Sequence, residues 1–286
     1  MFYIPIVGAL LEGIGTILDK KIIQTKGINH KNYVAYGFLA LSIVMLPFLP
    51  FLWKLSPEAF LLKNIIIFAI VVIASVFANI LMVYALKREN ITVIEPIKLM
   101  HPLFNIILAF ILSFFFFDYS NERNYSILIL SSIASITLIA SHVKKHHFDF
   151  DRYILAALLG SFLFSVELVI SKAILPYYSG LTFYFFRCFF VFLIALLIFK
   201  PKITEIPKKI IPMILAVNII WVIYRVILYW GYLAYGVVFT TMLFILAPVF
   251  IYIFARIFLK EKIELRNIIA AMVIVICVIL AIILKA

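Results

Sequence analysis

The chain has 286 residues, of which 66% are hydrophobic and 13% charged, with 29 phenylalanines and a mean hydropathy of +1.21. A soluble domain carries about 25% charged residues, so a water-soluble enzyme is excluded as a class. The formal net charge of +12 is concentrated in short loops, where it reports membrane orientation rather than a nucleic-acid partner.

Apolar runs of about 20 residues follow one another from end to end, each long enough to cross a ~30 Å hydrocarbon core at about 1.5 Å per residue. Ten are read, near 3–24, 33–53, 64–86, 91–117, 125–142, 153–175, 180–199, 210–233, 237–259 and 267–285. Backbone polar groups in lipid must be satisfied within the segment, so these runs are helices. The fold class is an all-α, multi-pass protein of the cell membrane with ten transmembrane helices. The first run starts at Phe2, lacks a basic leader and carries Glu12, so it is expected to be a retained helix rather than a cleaved signal. Cys188 and Cys277 both fall inside spans, where packed thiols are expected. Neither a disulfide nor a metal site is predicted.

The spans repeat. "GALLEGIGTILDKKII" (8–23) lies over "GSFLFSVELVISKAIL" (160–175), matching Gly8 with Gly160 and Lys20 with Lys172. "MHPLFNIILAF" (100–110) parallels "LAPVFIYIFAR" (246–256), each with a proline. The chain therefore divides into a first five-helix unit, 1–143, and a second, 152–286, joined by "HVKKHHFDFDR" (142–152). Five is odd, so the second copy enters the membrane inverted. The loops agree: loop 1–2 carries Lys21, Lys26 and Lys31 against Lys172 at the edge of its counterpart, while the bias between loops 2–3 and 7–8 is reversed. A 5+5 inverted repeat is typical of secondary transporters, with the substrate site near the midplane. Positive-inside counting places loops 1–2, 3–4, 5–6, 7–8 and 9–10 in the cytoplasm.

"YALKRENITVIEPIKLMHPLFNIILAFILSFFFFDY" and "AYGVVFTTMLFILAPVFIYIFARIFLKEKI" resemble the two copies of the EamA-type repeat of the drug/metabolite transporter superfamily. In that pattern a proline-bearing helix ends in an acidic residue, here Asp118 (where Glu is usual) and Glu261. The resemblance implies a ten-helix transporter of small metabolites. More locally, "EGIGTILDK" (12–20) is similar to the first helix of the small multidrug resistance transporters. That similarity implies a proton- and cation-binding role for Glu12.

Seven ionisable groups lie well inside spans: Glu12, Glu95, Lys98, His101, Glu167, Arg187 and Arg225. A charge near a helix centre costs about 2.5–3.5 kcal/mol to insert, so these groups are expected to pair and to face protein or water. Glu12 lies about 15 Å deep, and Glu167 is three residues from its repeat equivalent, on the same helical face. The balance between desolvation and a nearby base sets whether such a carboxylate holds a proton. A permanent ion pair of Glu12 with Lys98 or Arg225 is the alternative. Glu95, Lys98, His101 and Asn105 share one arc of helix 4. Glu95 and Lys98 could equally neutralise each other as an i,i+3 pair, and His101 could be a packing residue. Pro102 and Pro248 are candidate hinges. Arg187 could hold a carboxylate, from substrate or from Glu167. Trp221, Tyr224 and Arg225 form an aromatic stripe with a cation, suited to an amine or a ring or simply to packing. Lys20 and Lys172, near helix ends, are expected to snorkel.

No nucleotide-binding loop, zinc spacing or nucleophile elbow is present in the sequence, so neither a cofactor nor enzymatic activity is predicted. The function expected is secondary active transport of a small polar or cationic metabolite by alternating access, coupled to protons, in a monomer or homodimer within the lipid bilayer. The alternatives are a flippase for lipid headgroups and an intramembrane enzyme using Glu95 and His101.

Overall fold

In the computed structural model, residues 2–23, 30–86, 97–142, 152–200, 210–258 and 264–285 are described. Ten helical spans are found among them. The first half holds α1 (Tyr3–Ile23), α2 (His30–Met45, continued by Leu46–Phe48 and Leu49–Leu52), α3 (Leu62–Leu86), α4 (His101–Leu112) and α5 (Tyr125–His142). The second holds α6 (Arg152–Ser171), α7 (Gly180–Phe199), α8 (Ile211–Tyr235), α9 (Val237–Phe244 and Ala247–Phe258) and α10 (Leu265–Lys285). Eight of these spans are long and apolar enough to cross a membrane. The charges of α1 and the 12-residue length of α4 set those two helices apart. The outward faces of α3, α7 and α10 are apolar, as lipid requires: Ile73, Phe77, Leu197, Ile276 and Ile283 are all exposed.

The packing pairs are symmetric under exchange of the halves. Contact of α3 with α6 is mirrored by α8 with α1, α4 with α6 by α9 with α1, and α2 with α8 by α7 with α3. The pairs α2–α7 and α5–α10 map onto themselves. This is the signature of a two-fold axis, and five spans per copy lay that axis in the membrane plane.

The prolines act where their missing N–H groups demand. Residues Leu99–Met100 interrupt the helix just before His101 and Pro102, and Ile245–Leu246 interrupt α9 just before Ala247 and Pro248. A residue other than proline would have bonded four residues back, so the carbonyls freed are those of Lys98 and Phe244, one residue before each break. Around the first break α6 bonds the neighbouring carbonyls: Ser161 Oγ donates to Ile97 O at 3.2 Å and Ser165 Oγ to His101 O at 3.0 Å. At the second, Gly13 of α1 occupies the place equivalent to Ser165, and a Cβ there would lie 3.5 Å from Ala247 O. Helix α4 also ends earlier than the apolar run suggested, at Leu112, because Arg123 Nε donates to the Ser113 carbonyl at 2.9 Å. The four phenylalanines that follow, 114–117, are exposed beyond the helix.

Small residues set the closest approaches. A Cβ on Gly160 would meet Ala78 O of α3 at 3.2 Å and Met82 N at 3.5 Å, backbone atoms that cannot step aside. Overpacking at such sites costs about 1–3 kcal/mol. Gly160→Leu is therefore expected to lower the melting temperature in detergent and the yield of monodisperse protein, while Gly37→Ala, with nothing within 4 Å of its added carbon, leaves both unchanged.

Candidate functional site

A cavity of about 360 Å³ opens between the halves. Its walls come from α1 (Glu12, Thr16, Asp19), from α4 and the turn before it (Lys98, His101, Asn105), from α8 (Trp221, Tyr224, Tyr232) and from α9 (Thr241, Phe244, Ile251). A stretch as apolar as 94–104 carries an ammonium and an imidazole because both face this cavity rather than lipid. Pro102 and Pro248, at the two helix breaks, line it as well.

Each wall residue is held in place by its own element. Glu12 lies midway along α1, where Thr16 Oγ1 donates to the Glu12 carbonyl at 2.8 Å. Its carboxylate makes no ion pair among the described residues. Trp221 is fixed by its indole N–H, which donates to Asp19 Oδ2 at 2.9 Å across the two halves. From Trp221 an edge-to-face chain runs through Tyr224 (5.2 Å) to Phe244 (5.4 Å). His101 is partly buried and Lys98 is exposed. Asn105 is 2% exposed, and its Oδ1 has no hydrogen-bond partner among the described residues. A buried acceptor without a donor calls for a ligand or water. Glu95 lies outside the described residues.

Behind the aromatic wall sits a charge cluster. Glu167 is fully buried, with Arg187 Nε 2.9 Å from Oε1 and Arg187 Nη2 donating to Oε2 at 3.0 Å. Arg187 also donates to Ser75 Oγ at 2.7 Å. Arg225 brings Nη1 to 3.9 Å from Glu167 Oε2 and lies over the rings of Tyr184, Tyr224 and Tyr229. Two guanidiniums around one carboxylate leave a positive excess, which the π-faces of the tyrosines offset. The structure thus separates two acids that the repeat brings to the same helical face. Glu12 reaches the cavity, whereas Glu167 is enclosed by Arg187 and Arg225.

Two acids with no signal in their apolar surroundings complete the picture. Asp19 positions Trp221, as described. Glu122, in the 3₁₀ segment Phe117–Glu122, is 2% exposed and accepts from Lys172 Nζ at 2.5 Å and from the amides of Val237 (2.7 Å) and Val238 (2.9 Å). Lys172 is therefore buried in an ion pair rather than snorkelling. Cys188 and Cys277 are buried free thiols. Among the described residues no group of three or more His, Cys, Asp or Glu is placed to hold a metal ion.

Comparison with known proteins supports the architecture. The crystal structure of another protein superposes with a TM-score of 0.71 over 99% of this chain and 98% of its own, at 13% identity. That identity speaks to the fold alone. No curated protein matches the sequence. The model of the EamA-like transporter family matches twice, over residues 1–141 and again over 151–283. Between them the two matches take in nearly every helix just described, one half each, and the chain belongs to the EamA-like transporter family.

Proposed function

We propose that this protein is a secondary transporter that carries a small polar or cationic metabolite through the central cavity, exposing it alternately to the two faces of the membrane. The observation that carries the reading is the composition of the cavity wall. Both halves contribute to it, and Glu12, Asp19, Lys98 and His101 line it within a largely apolar molecule. A fixed membrane anchor has no use for so costly an arrangement.

Within this reading the residues divide by role. Glu12 is the coupling group: its carboxylate lines the cavity within the field of Arg225 but makes no ion pair among the described residues, so a proton and an organic cation compete for it. Trp221 and Tyr224, pinned through Asp19, form an aromatic face for a cation or ring. Lys98, His101 and the free Asn105 oxygen supply the polar contacts of the opposite wall. Glu167, Arg187 and Arg225 hold the scaffold beneath that site.

This division separates two carboxylates by experiment. A thermal-shift screen of the purified protein against amines, amino acids, nucleotide sugars and lipid headgroups first identifies a ligand. At 100 times its Kd the ligand adds about 2.7 kcal/mol of stability. Glu12→Gln is expected to leave the unliganded melting temperature within the small range of a neutral substitution, to weaken a cationic ligand at least ~10-fold, about 1.4 kcal/mol, and to abolish pH-dependent exchange in liposomes. Glu167→Gln leaves two buried cations without their carboxylate and is expected to cost about 3–5 kcal/mol of stability. Equal destabilisation by the two variants would make Glu12 a structural residue and remove the coupling assignment.

A further inference from the structure

A second cavity, of about 320 Å³, lies toward the face that carries the termini. Asp118, Asn121, Lys172, Gly236 and Lys285 are among its walls. Tyr232 lines both this cavity and the central one and so lies at their common boundary.

Next to this boundary lies the segment Val237–Phe244, all eight of whose residues are buried. It is bounded at both ends by points where the backbone can pivot. Before it, Gly236 sits at φ +91°, a conformation L side chains rarely adopt. After it comes the break at Ile245–Leu246 that precedes Pro248. The segment carries Thr241 and Phe244, two wall residues of the central cavity.

One carboxylate holds the free end of this segment. Glu122, from the first half, accepts the amides of Val237 and Val238 and the ammonium of Lys172 at the end of α6, all from the second half. The fit is close: a Cβ at Gly236 would come within 2.7 Å of Glu122 Oε1. Tyr119, three residues earlier, adds a bond from its hydroxyl to Val169 O at 2.8 Å and places its ring 5.1 Å from the Lys172 ammonium.

We propose that Glu122 is the latch of a gate on the terminus face: by holding Lys172 and the amino end of α9 it keeps the segment Val237–Phe244 and the boundary at Tyr232 closed, and its release joins the two cavities into one path. The latch rests on the transporter reading, since a gate needs a path. It is read out by accessibility, without substrate, so failure to detect transport would leave it standing.

The test places a cysteine at Thr241 in a background with Cys188 and Cys277 changed to alanine. A membrane-impermeant maleimide is then added from the terminus face only. With Glu122 intact, labelling is expected to be slow; Glu122→Gln, or Lys172→Met should that variant not fold, raises the rate tenfold or more in protein that remains monodisperse. A disulfide between Leu55→Cys and Tyr178→Cys supplies a second measurement. These residues form an antiparallel bridge between the halves on the same face, a geometry whose ~4.5–5.5 Å Cα separation suits a disulfide. Oxidising it in the Glu122→Gln background should return labelling to the slow rate. Fast labelling with Glu122 intact, no acceleration in a folded latch variant, or acceleration that persists across the disulfide would each overturn the proposal.

Discussion

The interaction on which the rest of the structure depends is the burial of Glu167 between two arginines. In a bilayer a lone charge is costly, and a paired one is tolerable only when its geometry and its remaining hydrogen bonds are good. Here one carboxylate on α6 collects Arg187 from α7 and Arg225 from α8, with Ser75 of α3 taking a further guanidinium donor. Four helices from both halves are thereby referred to a single point. The tyrosines on α7 and α8 close around the surplus positive charge. Those cations form their ion pairs with Glu167, and Glu12 on the neighbouring wall, within the field of Arg225 but not paired with it, faces the cavity.

The two halves share a scaffold and differ in chemistry. Both break the helix two and three residues before a proline, and both bring a helix of the other half against that break. The solutions at the contact diverge. Ser165 closes the approach to His101 with a hydrogen bond, whereas Gly13 does so by having no side chain at all. The same divergence applies to polar groups: α4 brings Lys98, His101 and Asn105 to the cavity, while the equivalent stretch of α9 brings Phe244, Ala247 and Ile251. Symmetry thus supplies one backbone arrangement twice, and its breaking supplies a site with one polar wall and one aromatic wall.

This division also explains what the sequence could disclose. Spans, repeat and inversion were legible because lipid imposes length and apolarity on every segment, and loop charge records topology. Glu12, Lys98, His101, Trp221 and Tyr224 stood out for the same reason, as polar or amphipathic residues within apolar runs. The sequence left open whether Arg187 would hold a substrate carboxylate or Glu167, and only packing chose Glu167 and added Arg225 to it. Asp19 and Glu122 were missed because they lie near span ends, where a charge is ordinary and carries no signal. The meaning of Lys172 followed Glu122 into obscurity. A lysine at the end of a helix looks solvated until its acid is found 50 residues earlier, in the first half.

The ties between halves are unevenly placed, and that asymmetry bears on which way the cavity faces. At the terminus face the connection after α2 pairs with the connection after α6: Ser56 N donates to Tyr177 O, Ser179 N to Lys54 O, and Ser179 Oγ to Leu52 O. Glu122 adds its three bonds a short way off. The wall of the central cavity, followed away from that face, passes from Tyr232 and Thr241 through Glu12 to Asp19 and the exposed Lys98. Its far end therefore lies toward the loops rich in lysine. In the proposed alternating-access cycle this arrangement would be exchanged for its two-fold counterpart, each helix break having an equivalent at the same place in the other half. Opening the terminus face then requires all of these ties to yield together. Hydrogen bonds between exposed loops yield readily, since water replaces them at little net cost. A buried carboxylate holding an ammonium and two amides does not, and so the stability of the closed face rests chiefly on Glu122.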